Sequence, residues 1–379
     1  LARQQRVYQR VNLDFDWPFA RGDVEFQVAT DGRRLHFFDT TPTFPYDNQA
    51  NGDARTASLR TTYALGSSNV VTAGYDTSGA EVTFDQTLVP PNAPLPKPCQ
   101  GAGSFDSCAA EDASTAWYLQ DEVRAPGSPL TLDFGVRNQR SQGTSPVTVP
   151  SVGTVVRISN SLDVRANYAR AFRTPNLDER YFPGYGSPAL KPEYGATFDI
   201  GLRGHPGRSE YSVAYFGQDT SNLIINVPID TFGNVAPFNV SRARVRGIET
   251  RLETHLNNFA HTYITYTDFL RAADLTPGNV TPIRLLYRPT STGAFSAWID
   301  RGTWSYGVDS TYVGRRYANE TNTRVLTPYL VTGVHVKKIL NRRLALTMRV
   351  DNIANNHNAE DILGYPIVGS AFSVRLSTR

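Results

Sequence analysis

The sequence predicts an all-β fold, a transmembrane antiparallel up-and-down β-barrel with short periplasmic turns and long extracellular loops. Three observations predict it. Apolar and polar residues alternate with a period of two along most of the chain, short turns alternate with long loops, and no window shows the 3.6-residue period of an amphipathic helix. About 17 strands can be counted along the 379 residues.

Period-two alternation is clearest in segments 130–137, 163–168, 303–312, 343–351 and 372–376. In the first segment Leu132 and Phe134 share one face, whereas Asp133 and Arg137 share the other. Such strands suit a barrel wall between lipid and a wet interior. The polar residues expected to face the lumen are Asp133, Arg137, Arg165, Arg349, Asp351 and Arg375. The aromatic residues expected to face lipid are Trp117, Trp304, Tyr306, Tyr312 and Phe372.

The connections between strands alternate between two lengths. Short turns rich in Gly, Pro and Asn are predicted at 65–69, 124–128, 159–163, 204–208, 256–258, 300–302 and 339–343. Long loops are predicted at about 41–55, 77–113, 141–150, 173–192, 220–236, 270–284, 314–326 and 354–368. This regular alternation is typical of an up-and-down barrel with turns at one rim and loops at the other.

Composition excludes several other classes of protein. The mean hydropathy is −0.36 and no apolar run approaches the roughly 18 residues of a transmembrane helix. The net charge is +3 with acidic and basic residues interspersed, which gives no indication of nucleic-acid binding. The six histidines are scattered, and the sequence contains no HExxH, GxSxG or phosphate-binding loop. We therefore expect neither an enzyme nor a metal site or cofactor.

Cys99 and Cys108 are the only cysteines, and a spacer rich in Gly and Ser separates them. Two thiols this close on a Pro-rich loop favour a local disulfide in an oxidising compartment. Metal binding is the alternative, but two thiolates without a nearby histidine make a poor zinc site.

One predicted strand breaks the alternation. Arg242, Arg244 and Arg246 have the same parity as Ile248, which belongs to the apolar set. Either a bulge at Gly247 resets the register, or this end of the strand projects beyond the bilayer. We favour the second explanation, because arginines beyond the lipid core could meet anionic lipid headgroups.

Six fragments carry a family resemblance. They are AWYLQDEVR (116–124) with LTLDFGVRNQR (130–140), NYARAFRTPNLDERY (167–181) with LKPE (190–193), YFGQDTSNLI (215–224), RVRGIE (244–249), LTMRVDNIANN (346–356) and GYPIVGSAFSVRL (364–376). In order and spacing they resemble the C-terminal part of the barrel of TonB-dependent outer-membrane receptors. Two departures are the end of the chain, which lacks the family's terminal aromatic residue, and Val368–Ser370, which replaces the expected PGR.

The resemblance implies a bacterial outer-membrane receptor that imports a scarce nutrient, such as a ferric siderophore, cobalamin or another metal complex. It also implies a barrel of about 22 strands and an N-terminal plug domain. We expect residues 1–379 to be the C-terminal portion of that barrel, with the plug and about five strands before residue 1. The implied partners are the outer-membrane bilayer, the small-molecule metal chelate and a TonB-type energy-coupling protein that binds the absent N-terminal region.

The expected extracellular loops hold the candidate ligand-binding residues. Aromatic and arginine side chains there could stack on a large rigid ligand and donate hydrogen bonds to it. The candidates are Arg173, Arg180, Tyr181, Phe182, Tyr185, Arg315, Tyr317 and Asn319. The alternative for each of them is packing within the loops.

Two other functions stay open on the sequence. One is a plug-free diffusive porin, or a structural outer-membrane barrel associated with envelope-layer proteins. The other is a soluble β-protein whose apolar face is a core and whose surface binds a ligand. A plug with a coupling box upstream of residue 1 would distinguish the receptor from the porin, and solubility without detergent would favour the soluble protein.

Overall fold

The computed structural model describes residues 3–39, 46–86, 107–182, 185–228, 235–275, 283–319, 321–357, 359–360 and 366–378. These residues form 20 strands and one short helix, α1 (Leu177–Tyr181). The strands are β1 (Arg3–Phe19), β2 (Gly22–Asp39), β3 (Tyr46–Leu65), β4 (Asn69–Gln86), β5 (Ser107–Arg124), β6 (Leu130–Ser141), β7 (Val147–Ser159), β8 (Leu162–Arg173), β9 (Glu193–Gly204), β10 (Ser209–Pro228), β11 (Val235–His255), β12 (Ala260–Asp274), β13 (Ile283–Arg284), β14 (Ser291–Arg301), β15 (Trp304–Val313), β16 (Arg316–Tyr317), β17 (Val325–Leu326), β18 (Tyr329–Ile339), β19 (Leu344–Asp351) and β20 (Ala371–Thr378). Strands β13, β16 and β17 have two residues each, so the described residues contain 17 strands of eight residues or more, as predicted.

Two compact units make up the chain. The first comprises Leu1–Gly153, Ala169–Ala196 and Thr220–Ser241, and the second comprises Thr154–Tyr168, Thr197–Asp219 and Arg242–Arg379. Among the described residues, no helix is long and apolar enough to cross a membrane.

In the first unit, β1 to β6 pair in sequence order, each strand antiparallel to the next. One cross-strand row consists of Phe15, Phe26, Leu59, Tyr75 and Trp117, whose exposed fractions lie between 41% and 62%. We call the side of the sheet that carries this row the apolar face. An exposed apolar surface this continuous is typical of a wall against lipid.

The opposite side of the same strands is the polar face. Its central row runs from Asp16 through Glu25, Arg60 and Gly74 to Tyr118. The Arg60 guanidinium donates a hydrogen bond to Glu25. The alternation of the sequence is therefore realised as one charged, hydrogen-bonded face and one apolar face.

The second unit repeats this arrangement with β11, β12, β14, β15, β18, β19 and β20, which pair in that order and antiparallel. Its apolar face includes the row Ile299, Tyr306, Val336, Met348 and Val374. The short strands belong to the connections, because β13 pairs with the end of β12 and β16 pairs with β17. Antiparallel pairing of consecutive long strands confirms the predicted up-and-down arrangement.

All seven predicted short turns lie between consecutive strands, but the predicted bounds of several long loops are wrong. Strand β3 begins at Tyr46, inside predicted loop 41–55, and β4 and β5 extend to Gln86 and from Ser107, inside 77–113. Strand β10 likewise continues to Pro228. In β3 the stretch 46–55 is mostly small and polar on both faces, so it lacks alternation, yet its backbone pairs with β4 from Asn48 onward.

A register shift lies beside Gly247, between Arg246 and Ile248. The extra residue is in β12, where Phe269 and Leu270 together lie opposite Gly247. A bulge is therefore present, but it does not reset the parity of β11. Arg244 and Arg246 keep the face of Ile248, which agrees with the second of the two explanations drawn from the sequence.

Candidate functional site

The β8–β9 connection contains helix α1, which begins with a capping box. The Asn176 side chain accepts a hydrogen bond from the Glu179 backbone N–H at 2.7 Å, and the Glu179 carboxylate accepts one from the Asn176 N–H at 2.9 Å. Asn followed three residues later by Glu thus fixes where the helix starts. A helix of five residues is too short to be stable alone, so its position depends on side-chain anchors.

Arg173 anchors both ends of this connection. Its guanidinium donates to the Glu179 carboxylate at 2.7 Å and to the Glu193 carboxylate at 2.8 Å. Burial acts to raise the pKa of the Glu193 carboxyl, but the Arg173 guanidinium and the Ile224 backbone N–H hold that pKa below its ordinary value. Hydrogen bonds to Glu193 and Glu179 raise the pKa of Arg173. The structure therefore places Arg173, a predicted ligand-binding residue, in an internal ion-pair network.

Helix α1 packs on the polar face of the first unit. Leu177, Tyr181 and Phe182 contact a cluster that consists of Leu35, Ala50, Val82 and Phe84. The rings of Phe182 and Phe84 meet edge to face with centroids 5.1 Å apart. This apolar patch on an otherwise polar face is the surface on which the connection folds.

The two remaining predicted residues of this connection also contact groups of the protein itself, Tyr185 on β10 and Arg180 within the connection. The Tyr185 hydroxyl donates to the Asn226 side chain at 2.6 Å, and burial raises the pKa of Tyr185. The Arg180 guanidinium lies 4.8 Å from the centroid of the Tyr181 ring. Ligand contact by Arg180, Tyr181, Phe182 and Tyr185 stays a prediction.

Beside α1, the first unit contains a cavity of about 500 Å³. Gly52, Ala54 and Ala80 form part of its wall on the polar face, and Leu177 and Asp178 of α1 close one side of it. Small wall residues leave room for a flat or bulky ligand. We take this cavity, the α1 pocket, as the candidate functional site.

Charged and aromatic side chains of β1 and β2 line the same pocket. The Arg33 guanidinium lies 5.9 Å from the centroid of the Tyr8 ring, and the Arg10 Nε lies 3.7 Å from the Asp31 carboxylate. Burial raises the pKa of Asp178, and the charge of Arg33 opposes that shift. Both signs of charge and an aromatic ring are thus available to a ligand in a largely apolar cavity.

Sequence reasoning missed Tyr8, Arg10, Asp31, Arg33 and Asp178 as site residues. Alternation alone places Tyr8 and Arg10 on one face of β1, and Asp31 and Arg33 on one face of β2. Alternation does not predict the register between β1 and β2 that places Tyr8 opposite Arg33. It also does not predict that α1 folds over these residues.

The second predicted ligand-binding loop, in the second unit, forms the β16–β17 hairpin. Asn319 shapes its turn, because its side-chain oxygen accepts from the Thr323 and Arg324 N–H groups at 3.0 and 2.8 Å. The Arg315 guanidinium lies 5.8 Å from the Tyr317 ring centroid. The structure does not bring these three residues into the α1 pocket, which is lined only by residues of the first unit.

The residues predicted to face the lumen lie on the polar faces of their units, most of them in hydrogen-bonded networks. In the first unit Arg137 contacts Asp76 at 2.6 Å and Asp133 accepts from Gln120 at 2.6 Å. In the second unit Arg349 contacts Asp309 at 2.9 Å and Asp351 at 2.6 Å. Arg165 lies 4.0 Å from Asp199, and Arg375 pairs across the strands with Thr347. That these residues face a lumen stays a prediction.

Two further predictions concern the cysteines and metal binding. Cys99 and the side chain of Cys108 lie outside the described residues, so the disulfide stays a prediction. Within the described part of the chain, no three His, Cys, Asp or Glu side chains are grouped as metal ligands.

Comparisons with known families and proteins find relatives that agree with the observed all-β fold. The model for the TonB dependent receptor-like β-barrel matches residues 2–353. The chain is 25% identical over 249 residues to the vitamin B12 transporter BtuB of Photobacterium profundum, a match that covers 64% of this chain and 40% of that protein. It is 23% identical over 262 residues to BtuB of Vibrio cholerae, covering 67% and 41%. The chain thus spans about 40% of the length of these curated relatives.

Solved structures give the same fold. The ferric enterobactin receptor PfeA of Pseudomonas aeruginosa matches with a TM-score of 0.77 and 17% identity, over 99% of this chain and 62% of that one. The copper transporter OprC matches with a TM-score of 0.80 and 15% identity, over 98% and 65%. The ferric yersiniabactin receptor FyuA of Yersinia pestis matches with a TM-score of 0.76 and 12% identity, over 99% and 60%. At these identities the likeness shows the fold alone.

Proposed function

Because the chain belongs to the TonB-dependent receptor β-barrel family, we propose that the whole protein is an outer-membrane receptor that binds a scarce metal complex from outside and imports it. A TonB-type protein would supply the energy through the region before residue 1. The curated relatives are vitamin B12 transporters, so cobalamin is the first ligand to test, followed by ferric siderophores.

The α1 pocket is the observation that carries this proposal. Its volume of about 500 Å³ lies within the ordinary range of small-molecule sites. The Tyr8 ring offers a stacking surface, and Arg10 and Arg33 offer donors for carboxylate, phosphate or amide oxygens. Such a pocket suits a ligand with a mostly apolar framework and polar groups at its periphery.

Binding by the purified full-length protein tests the proposal. Cyanocobalamin and a ferric catecholate complex are titrated into the parent protein and into the Tyr8→Ala/Arg33→Ala double variant. We expect one of them to bind the parent, and the double variant to bind it at least about tenfold more weakly, since a stacking ring and a charged donor are each worth roughly 1 kcal/mol or more.

Arg34→Ala is the matched control, because Arg34 follows Arg33 on β2, points to the opposite face and is exposed. Its affinity should equal that of the parent. If neither ligand binds the parent protein, and the reconstituted protein conducts small ions freely across a planar bilayer, the receptor proposal fails in favour of the diffusive porin.

A further inference from the structure

The apolar face of the second unit changes character along β11. Leu252 and Ile248 lie on this face and are 37% and 38% exposed. The next residues of the same parity, toward the long-loop end, are Arg246, Arg244 and Arg242. On one face of this strand, a row of apolar side chains is therefore continued by a row of arginines.

Neighbouring strands contribute two more arginines beside this row. Arg271 of β12 lies directly opposite Arg246, and Ala273 lies between Arg244 on one side and Arg284 of β13 on the other. We call the five arginines the arginine patch. They are Arg242, Arg244, Arg246, Arg271 and Arg284.

Two carboxylates share the face of the patch. Asp219 of β10 accepts from Arg244 at 2.7 Å and from Arg246 at 2.8 Å, and Asp268 lies opposite Ile248. Five arginines against these two carboxylates leave a formal charge of +3. The Arg246 guanidinium also lies 5.0 Å from the centroid of the Phe198 ring, which fixes it on the sheet.

The patch lies at the height where a membrane surface is expected. Leu256, in the short turn that follows β11, lies ten positions after Arg246. At about 3.3 Å per residue and the usual tilt of 35–45°, that distance spans roughly 25 Å along the membrane normal. This is about the height of the apolar band of an outer-membrane barrel, so the arginines begin where the hydrocarbon ends.

We propose that the arginine patch binds the phosphate groups of an anionic lipid in the outer leaflet. Planar guanidinium groups bind phosphate oxygens in pairs, and an aromatic ring beneath one of them reduces its freedom. Sharing Asp219 between two guanidinium groups aligns both without neutralising the patch. The proposal rests on the outer-membrane location of the family and not on the identity of the imported ligand.

Lipid binding by the full-length protein in detergent micelles tests this inference. Dioleoylphosphatidic acid serves as the phosphate lipid and dioleoylphosphatidylcholine as the zwitterionic lipid. Each arginine at a charged surface contributes roughly fivefold in affinity, so we expect the Arg244→Gln/Arg246→Gln variant to bind phosphatidic acid about 25-fold more weakly. Binding of phosphatidylcholine should not change.

Three further variants distinguish loss of lipid binding from misfolding. Arg203→Gln/Arg251→Gln removes two ion-paired arginines from the opposite face of the same unit and should bind like the parent. Arg244→Lys/Arg246→Lys keeps the charge but not the paired donors of the guanidinium groups, so it should lose less affinity than the glutamine variant. Asp219→Asn raises the formal charge of the patch and should tighten binding, an effect that unfolding cannot produce.

Two outcomes would overturn the proposal. In one, the glutamine variant binds phosphatidic acid as tightly as the parent, or loses no more affinity than Arg203→Gln/Arg251→Gln does. In the other, inorganic phosphate at matched ionic strength displaces the lipid completely, which would make the patch a site for free anions. Neither outcome depends on cobalamin or siderophore binding.

Discussion

At the scale of single residues, Arg173 determines how the β8–β9 connection is held. Its side chain is 42% exposed, whereas those of its partners Glu179 and Glu193 are only 15% and 12% exposed. Removing the guanidinium leaves two half-desolvated carboxylates facing each other without a cation. The arginine therefore holds the start of α1 beside the start of β9, although the Glu179 and Glu193 carboxylates would otherwise repel each other.

We expect Arg173→Gln to loosen helix α1 while the strands stay folded. Loss of the charged hydrogen bonds costs about 2 kcal/mol of local stability, or roughly a 30-fold fall in amide protection. Hydrogen exchange of the full-length protein, followed by mass spectrometry of peptides spanning 176–182, measures this fall. Arg170→Gln is the control, because Arg170 is an exposed arginine on the same strand.

The same network gives the expected pH dependence. The pKa of Glu193 is lowered in the folded protein, so its contribution is present above the ordinary glutamate pKa and is lost as the pH falls through the lowered value. Protection of α1 in the parent should thus be constant near neutrality and decrease only in acid. Unchanged protection in Arg173→Gln at neutral pH would show that packing on Phe84 alone holds the helix.

At the scale of elements, the strands of the first unit pack an aromatic ring over a glycine. A Cβ added to Gly74 of β4 would overlap the ring and hydroxyl of Tyr118 on β5, whereas one added to Gly79 of the same strand meets nothing within 4 Å. The Tyr118 ring also lies 5.7 Å from the guanidinium of Arg137. Displacing the ring therefore disturbs the Arg137–Asp76 ion pair as well.

Gly74→Ala should destabilise the barrel by about 1–3 kcal/mol through overpacking. Gly79→Ala should change stability by no more than about 0.5 kcal/mol, as is usual for an open surface position. The measurement is the temperature at which the folded, fast-migrating band of the full-length protein is lost on a denaturing gel. Equal shifts for the two variants would contradict this explanation, because only a Cβ at Gly74 overlaps Tyr118.

Elements were predictable from the sequence where alternation is strong, and less so where it fades. The turn after Leu65 and the turn after Arg124 are confirmed, because Gly and Pro interrupt a clear period-two pattern there. Strand β3 was predicted too short, since Asn48 to Arg55 carry little apolar alternation although they pair with β4 throughout. Backbone pairing needs no side-chain pattern, so a strand that continues beyond the lipid leaves no signal in hydropathy.

The candidate site was less predictable than the fold, for a reason that involves the whole molecule. Alternation gives the face of Tyr8, Arg33 and Ala80, but their meeting requires the register of β1 to β4. Asp178 then reaches the same pocket from a distant connection that folds onto the polar face. Such long-range placement depends on tertiary packing, which local patterns do not encode.

The orientation of the molecule in the membrane gives a last prediction. The sequence predicts short turns at the periplasmic rim and long connections at the extracellular rim, so exposed alanines in the two kinds of connection should differ in access from outside. Ala125 lies in the β5–β6 turn and Ala189 in the β8–β9 connection, and both are exposed. In intact cells that produce the full-length protein, a membrane-impermeant maleimide should label Ala189→Cys strongly and Ala125→Cys only after the outer membrane is permeabilised.

The background for this labelling is a Cys99→Ser/Cys108→Ser variant. The parent itself should react with maleimide only after reduction if the predicted disulfide is formed, since a disulfide leaves no thiolate to attack. Labelling of Ala125→Cys in intact cells, with Ala189→Cys protected, would invert the orientation. It would also place the α1 pocket on the periplasmic side, where a receptor for external nutrients could not use it.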